Sequence, residues 1–528
     1  MDNFVNLLFL TDEAKERWDN TDRHIYDITN HDLGIEAITS ELVAAYADFP
    51  AYILEYPCLT MEDAAFRGEI IDEVYHDGEI FNALTACIDK LTILKLMNSE
   101  SYFEKHDYQK KFRFLNLMRH YIDCVNYIAE NISECKSNGL KRLLDFAKGL
   151  QKSADFIKMT EDAYALHRDL EALRRLDVVI NHRETKYMVT QTDPDATNLA
   201  EEIYNDALAI FGIKIKNAFP LNAVSEMTPM EEAMLEHMIS SHPDHFDRLN
   251  AFCEYFKDLS CYNLIELIPN IVFYTGYADM VKKLESEGYA FCKAVFSDEG
   301  YFAEGAYELG LAIMAVNEKR ESRVVSNTIN LKKGETFILS GPNQGGKTVY
   351  LKTAGIIAQL ARCGCLVPCT KCTLPFYSLL YTHFPRQELI GKGRLIEEIE
   401  RIESKLPMTA SDSLLLFNES FASTRRSDGM DISMYYLEKL ENIGCSVGFV
   451  THFYELPATY KNGDNKLKSL VAAVSSESDS TRTYRIIECP PSGIAYAKDI
   501  AERCGVTFEN LMAICEKTEA IEERIVSQ

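Results

Sequence analysis

The stretch Gly341-Pro342-Asn343-Gln344-Gly345-Gly346-Lys347-Thr348 lies directly after the apolar run TFILS and directly before TVYLKTAGIIAQLAR, whose apolar residues recur at helical spacing. A G-x-x-x-x-G-K-[ST] pattern in that setting constrains the fold more than any other feature. The apolar run must be a buried strand feeding a helix N-terminus, the opening βα unit of a nucleotide-binding α/β domain. The glycines let backbone N–H groups curl around an anion. Lys347 can reach the β- and γ-phosphates, and Thr348 offers a hydroxyl to Mg²⁺. The candidate cofactor-binding set is therefore Gly341, Pro342, Asn343, Gln344, Gly345, Gly346, Lys347, Thr348 and Val349, and the implied ligands are ATP and Mg²⁺.

Two further apolar runs read as buried parallel strands ending in polar residues, where α/β folds place their chemistry. In the first, Leu414-Leu415-Leu416-Phe417 leads into Asn418-Glu419. A metal shell calls for a carboxylate followed by a second one to orient water; here the first is an amide. Asn418 can accept a hydrogen bond from a metal-bound water but adds no charge, so Mg²⁺ should be held more weakly and hydrolysis should be slow. Glu419 is the candidate general base. In the second, Val447-Gly448-Phe449-Val450 leads into Thr451-His452, and His452 is the candidate γ-phosphate sensor. Lys347, Glu419 and His452 thus form the candidate catalytic set.

The residues before this domain read differently. DLGIEAITSELVAAYADF and GEIFNALTACIDKLTILKLM space apolar residues by three and four, and DVVINHRETKYMVTQT suggests two short strands around a polar turn. The expected organisation is multidomain α and α/β. A helical core occupies 1–100, a helical lever or clamp with a strand pair near 177–192 occupies 101–290, and the α/β domain occupies 291–528. The 528 residues carry a net charge of −26, which argues against non-specific coating of nucleic acid. Yet residues 31–100 hold 14 acidic and 3 basic residues, whereas 101–186 hold 13 acidic and 16 basic. Lys110, Lys111, Arg113, Lys141, Arg142, Arg174 and Arg175 are the candidates for meeting DNA phosphates. No apolar run suits a membrane span and the N-terminus lacks signal-peptide features, so a cytoplasmic location without a membrane partner is expected.

Taken together, these motifs resemble the MutS family of DNA mismatch repair ATPases. GPNQGGKTVYLKTAG is similar to that family's GPNMGGKS-type loop, LLLFNESFASTRRSDG to its LLDE strand and following Thr-Ser stretch, and VTHFYEL to its ATHFHEL segment. YRIIECPPSGIAYAKDIAERCGV is similar to its closing segment. The resemblance implies a helical core and lever followed by an ABC-type P-loop ATPase domain. It also implies a homodimer or heterodimer whose ATPase domains face each other with ATP between them, and mismatched or branched DNA as a partner. Three departures stand out. The chain reads as starting at the core, so a mismatch-reading domain is not expected. Asn418 replaces the metal-shell aspartate. Where the family carries a serine that reaches the partner's ATP, this chain reads Ile390-Gly391-Lys392-Gly393-Arg394, so that Lys392 and Arg394 are the trans-site candidates. These departures leave a second expectation open, an ATP-sensing regulatory dimer with weak or no hydrolysis and no DNA binding.

Cys363, Cys365, Cys369 and Cys372 are spaced too tightly for paired zinc knuckles and read as core thiols.

Overall fold

Ser153 ends one helix and begins the next: its amide closes on the Leu150 carbonyl at 2.9 Å, and its hydroxyl accepts from the Phe156 amide at 3.3 Å. Junctions of this kind keep the helices long and their connections short. The structure is a computed structural model describing residues 5–99, 106–173, 176–180, 187–191, 235–236, 238–320, 322–385, 393–460, 467–474 and 482–489. It divides into two units, the first formed by residues 1–8 and 76–275 and the second by 9–75 and 276–528.

The first unit is mainly helical, with helices Gly78–Ser99, Asp107–Asn131, Asn138–Lys152, Ala154–Ala172 and Pro243–Phe256. Phe112, Met118, Ile122 and Val125 on one helix, with Leu140, Leu143, Met159, Leu166 and Leu249 on others, are wholly or almost wholly buried. This is the three-and-four spacing of the sequence turned into a core. Its one antiparallel strand pair among the described residues, β1 (Leu176–Ile180) with β2 (Tyr187–Gln191), sets Val178 opposite Val189. No helix among the described residues is long and apolar enough to cross a membrane.

The second unit is built on a six-stranded sheet. Its strands are β7 (Thr336–Ser340), β10 (Leu379–His383), β11 (Ser413–Asn418), β12 (Ser446–Val450), β13 (Leu467–Val474) and β14 (Arg482–Glu488), in spatial order β10-β11-β12-β7-β13-β14. All neighbours are parallel except β13 and β14. Every residue of β7, β11 and β12 is buried, as expected for parallel strands covered on both faces. Leu415, Phe417, Val447 and Phe449 join Tyr436, Leu437 and Leu440 of helix Arg426–Ile443 in one cluster. On the other side, helix Lys347–Arg362 comes so close to its neighbours at Gly355 that a Cβ there would meet Leu33 at 2.4 Å and Leu416 at 3.0 Å. Leu33 ends helix His24–Leu33, whose Asp32 accepts the hydroxyl of Thr382 on β10 at 2.8 Å. A short antiparallel pair, β3 (Cys292–Lys293) with β8 (Leu366–Val367), and a second sheet of β4 (Val295–Phe296), β9 (Lys371–Leu374), β5 (Gly300–Ala306) and β6 (Asn327–Lys332) complete the unit. Phe302 and Glu304, which with Ala303 spell a Phe-x-Glu tripeptide, are ordinary residues of β5.

Candidate functional site

The C-terminal ends of β7, β11 and β12 lie side by side, because β12 pairs in parallel with both of the others. Whatever follows each strand is therefore delivered to one place. After β7 comes the glycine loop. Gly341 holds φ 137° with a hypothetical Cβ 2.9 Å from that of Ala472 on β13, so both the dihedral and the space demand glycine. The chain then turns through Gln344 at φ 62° and Gly346 at φ 90°, and Gly346 caps helix Lys347–Arg362. Asn343 and Gln344 are exposed, and Thr348 and Val349 are half-buried. Lys347 is buried, and its ammonium donates to the carbonyls of Gly341 and Pro342, at 3.0 Å each, holding the loop closed on itself. The amides at the start of the helix carry its positive dipole end, which suits an anion.

After β11 and β12 come the polar candidates. The Thr348 hydroxyl donates to the Asn418 side-chain oxygen at 3.1 Å, joining the helix start to the end of β11. Glu419 has φ 52°, and its amide donates to the Val450 carbonyl at 2.8 Å, which fixes the turn to the neighbouring strand. Its Oε1 lies 2.8 Å from Nε2 of His452. The His452 hydrogen bond, opposed by partial burial and helped by the charges of His452 and Lys347, holds the Glu419 carboxyl below the usual carboxylate range. Lys347, Thr348, Asn418, Glu419 and His452 are thus brought together, although they are spread over more than a hundred residues of sequence.

Other candidates fall elsewhere. Arg394 opens helix Arg394–Glu403 and donates from Nε to Glu398 at 3.1 Å. Lys392, Arg174 and Arg175 lie outside the described residues. Lys110, Lys111, Arg113, Lys141 and Arg142 belong to the first unit, where Lys110, Lys141 and Arg142 are exposed. Lys111 pairs with Asp107, and Arg113 donates to the Met97 carbonyl at 2.6 Å. Of the clustered cysteines, Cys363 donates to the Leu54 carbonyl at 3.6 Å, and the Cys369 sulfur lies 3.6 Å from that of Cys292. Among the described residues no group of three or more His, Cys, Asp or Glu is arranged to hold a metal ion.

Two residues of the site carry no signal in the sequence. Tyr484 of β14, at φ 55°, lies against the glycine loop, where a Cβ on Gly346 would meet its ring at 3.6 Å. Glu398 is buried in a helix of otherwise ordinary amphipathic charge pattern, and its Oε2 accepts the Phe421 amide at 2.7 Å.

The region that holds these residues is similar to known proteins. Residues 337–521 match the family described as MutS domain V. The DNA mismatch repair protein MutS of Listeria innocua is 24% identical over 323 residues, which cover 60% of this chain and 35% of that protein. MutS of Thermus thermophilus is 28% identical over 193 residues, 36% of this chain and 23% of the relative. MutS of Acholeplasma laidlawii is 32% identical over 135 residues, 25% and 16% respectively. The matched segment thus spans about a third of the length of the first of these relatives. Residues 337–521, which hold this loop and these strand ends, are similar to MutS domain V, within a chain that is similar to MutS proteins over up to 60% of its length.

Proposed function

We propose that the second unit is an ABC-type P-loop ATPase that binds and hydrolyses ATP with Mg²⁺, and that its nucleotide state controls DNA binding in mismatch repair or branched-DNA processing. The observation that carries this reading is the convergence of Lys347, Thr348, Asn418, Glu419 and His452 at adjacent ends of parallel strands. The amides of Gly341 to Thr348 receive the phosphates, and Lys347 exchanges its two carbonyl partners for phosphate oxygens. Tyr484 offers an aromatic face beside the loop for the base. Thr348 and Asn418 are the residues to hold Mg²⁺, which neutralises β- and γ-phosphate charge when bound. Glu419, kept ionised by its histidine partner, orients and deprotonates water. His452 can then turn from Glu419 to the γ-phosphate, so that a single side chain registers whether that phosphate is present. Two copies facing each other through these domains would each place Arg394 near the other's nucleotide, and Lys110, Lys141 and Arg142 would meet DNA.

Asn418 favours a second reading, in which the domain binds ATP as a signal and turns it over slowly or not at all, because the metal shell lacks a charge. Titration with a fluorescent ATP analogue and Mg²⁺ tests both: no measurable affinity removes both. Filter binding to linear and junction DNA across a salt series separates them, since absence of binding at low salt leaves only the second.

A further inference from the structure

Glu398 is 5% exposed and carries a charge into the interior, which is costly unless both oxygens are satisfied. They are. One accepts the amide of Phe421 at 2.7 Å, and the other accepts from Nε of Arg394 at 3.1 Å. Phe421 stands two residues after Glu419 and, like it, is a non-glycine residue at positive φ, 63° against 52°. Such a turn persists only where its surroundings over-determine it. Here the Phe421 ring stacks on Tyr436 at 5.5 Å and 8°, and the Ser420 hydroxyl lies 2.7 Å from Nδ1 of buried His383. Of these restraints Glu398 bonds directly to a cation near the surface, Arg394, whose side chain is 34% exposed.

We infer that Glu398 is a positioning residue whose one carboxylate both clamps the turn that aims Glu419 and seats Arg394, so that displacement of either is felt by the other. The signal that would use it is an anion at Arg394, the triphosphate held by a second copy of this chain. The kinetic consequence rests on the proposed ATPase reading, whereas the mechanical coupling does not.

The test is hydrogen exchange of the segment 418–424 in the full chain, wild type beside Arg394→Gln. Removing the cation leaves the buried carboxylate less compensated and loosens its hold on Phe421, so exchange of that segment should quicken by about fivefold or more, beyond any change in segments distant from it. Unchanged exchange there overturns the coupling. In parallel, Glu398→Gln should lower kcat about tenfold while the dissociation constant for a fluorescent ATP analogue stays within about twofold of wild type. A Glu398→Gln protein that turns over like wild type removes the positioning role. Failure of the wild type to bind nucleotide would remove the proposed function and leave the exchange result to stand or fall alone.

Discussion

Thr348 donates its hydroxyl hydrogen to the side-chain oxygen of Asn418 at 3.1 Å, so the two residues proposed to share a metal ion are already in register. What the pair lacks is charge. Mg²⁺ keeps its own water shell and is attracted chiefly by anionic oxygen. Replacing Asn418 by aspartate preserves the side-chain size and supplies that charge. We expect Asn418→Asp to lower the Mg²⁺ concentration for half-maximal nucleotide binding by about tenfold, roughly one charge contact's contribution. A Mg²⁺ titration that does not move would remove Asn418 from the metal shell.

Glu419 yields two linked expectations. Glu419→Gln keeps the shape but cannot take a proton, so turnover should vanish while nucleotide affinity persists; an active Glu419→Gln enzyme excludes it as the base. The pH dependence follows from the lowered carboxyl. A depressed folded-state pKa gives a contribution to stability present above the ordinary carboxylate range and lost as pH falls through the folded value. His452→Ala removes the principal cause of the depression. The acid limb of the turnover profile should then move to higher pH, with stability near neutrality changed by only about 1 kcal/mol or less because the pair is partly exposed. An acid limb that stays in place would show that Glu419 does not govern it.

The loop and the strand ends were legible in the sequence because each is a short-range pattern: glycines in a fixed spacing, apolar runs ending in polar residues. Glu398 and Tyr484 were not, since each acquires its place only when segments distant in sequence are packed together. An amphipathic helix marks which side is apolar and not which acid is buried. Gly34 shows a subtler limit. DLGIEAITSELVAAYADF has helical spacing throughout, yet Gly34 takes φ 77° and divides it into His24–Leu33 and Ile35–Ala45. Periodicity survives such a break. Nor does it name a partner: helices within 9–75 group with the sheet, through bonds such as that from Thr382 to Asp32.

Gly341 should be intolerant of any side chain. Its φ of 137° is strained for L-residues, and a Cβ would lie 2.9 Å from the Ala472 methyl. Gly341→Ala should cost about 1–3 kcal/mol and abolish nucleotide binding, because the loop and β13 cannot both keep their places. Gly149, in open space on an exposed stretch of helix Asn138–Lys152, is the contrast: Gly149→Ala should stabilise by up to about 1 kcal/mol. Denaturant midpoints of the two variants moving in the same direction would contradict this reading of the loop.

DNA binding, if the first unit provides it, should rest on particular cations and not on the whole basic stretch. Lys111 already pairs with Asp107, and Arg113 is anchored on the Met97 carbonyl, so each would have to surrender a contact to meet a phosphate. Lys141 is exposed and adjoins Arg142, also exposed, near the start of helix Asn138–Lys152. Each phosphate contact releases about 0.9 counterion, which the slope of log affinity against log salt reads directly. Lys141→Gln with Arg142→Gln should therefore weaken binding and flatten that slope by about two between roughly 50 and 200 mM salt, whereas Lys111→Gln should leave it nearly unchanged. Parallel slopes for the double variant and wild type would mean that these two side chains touch no phosphate, and the search for a DNA surface would have to move off this helix.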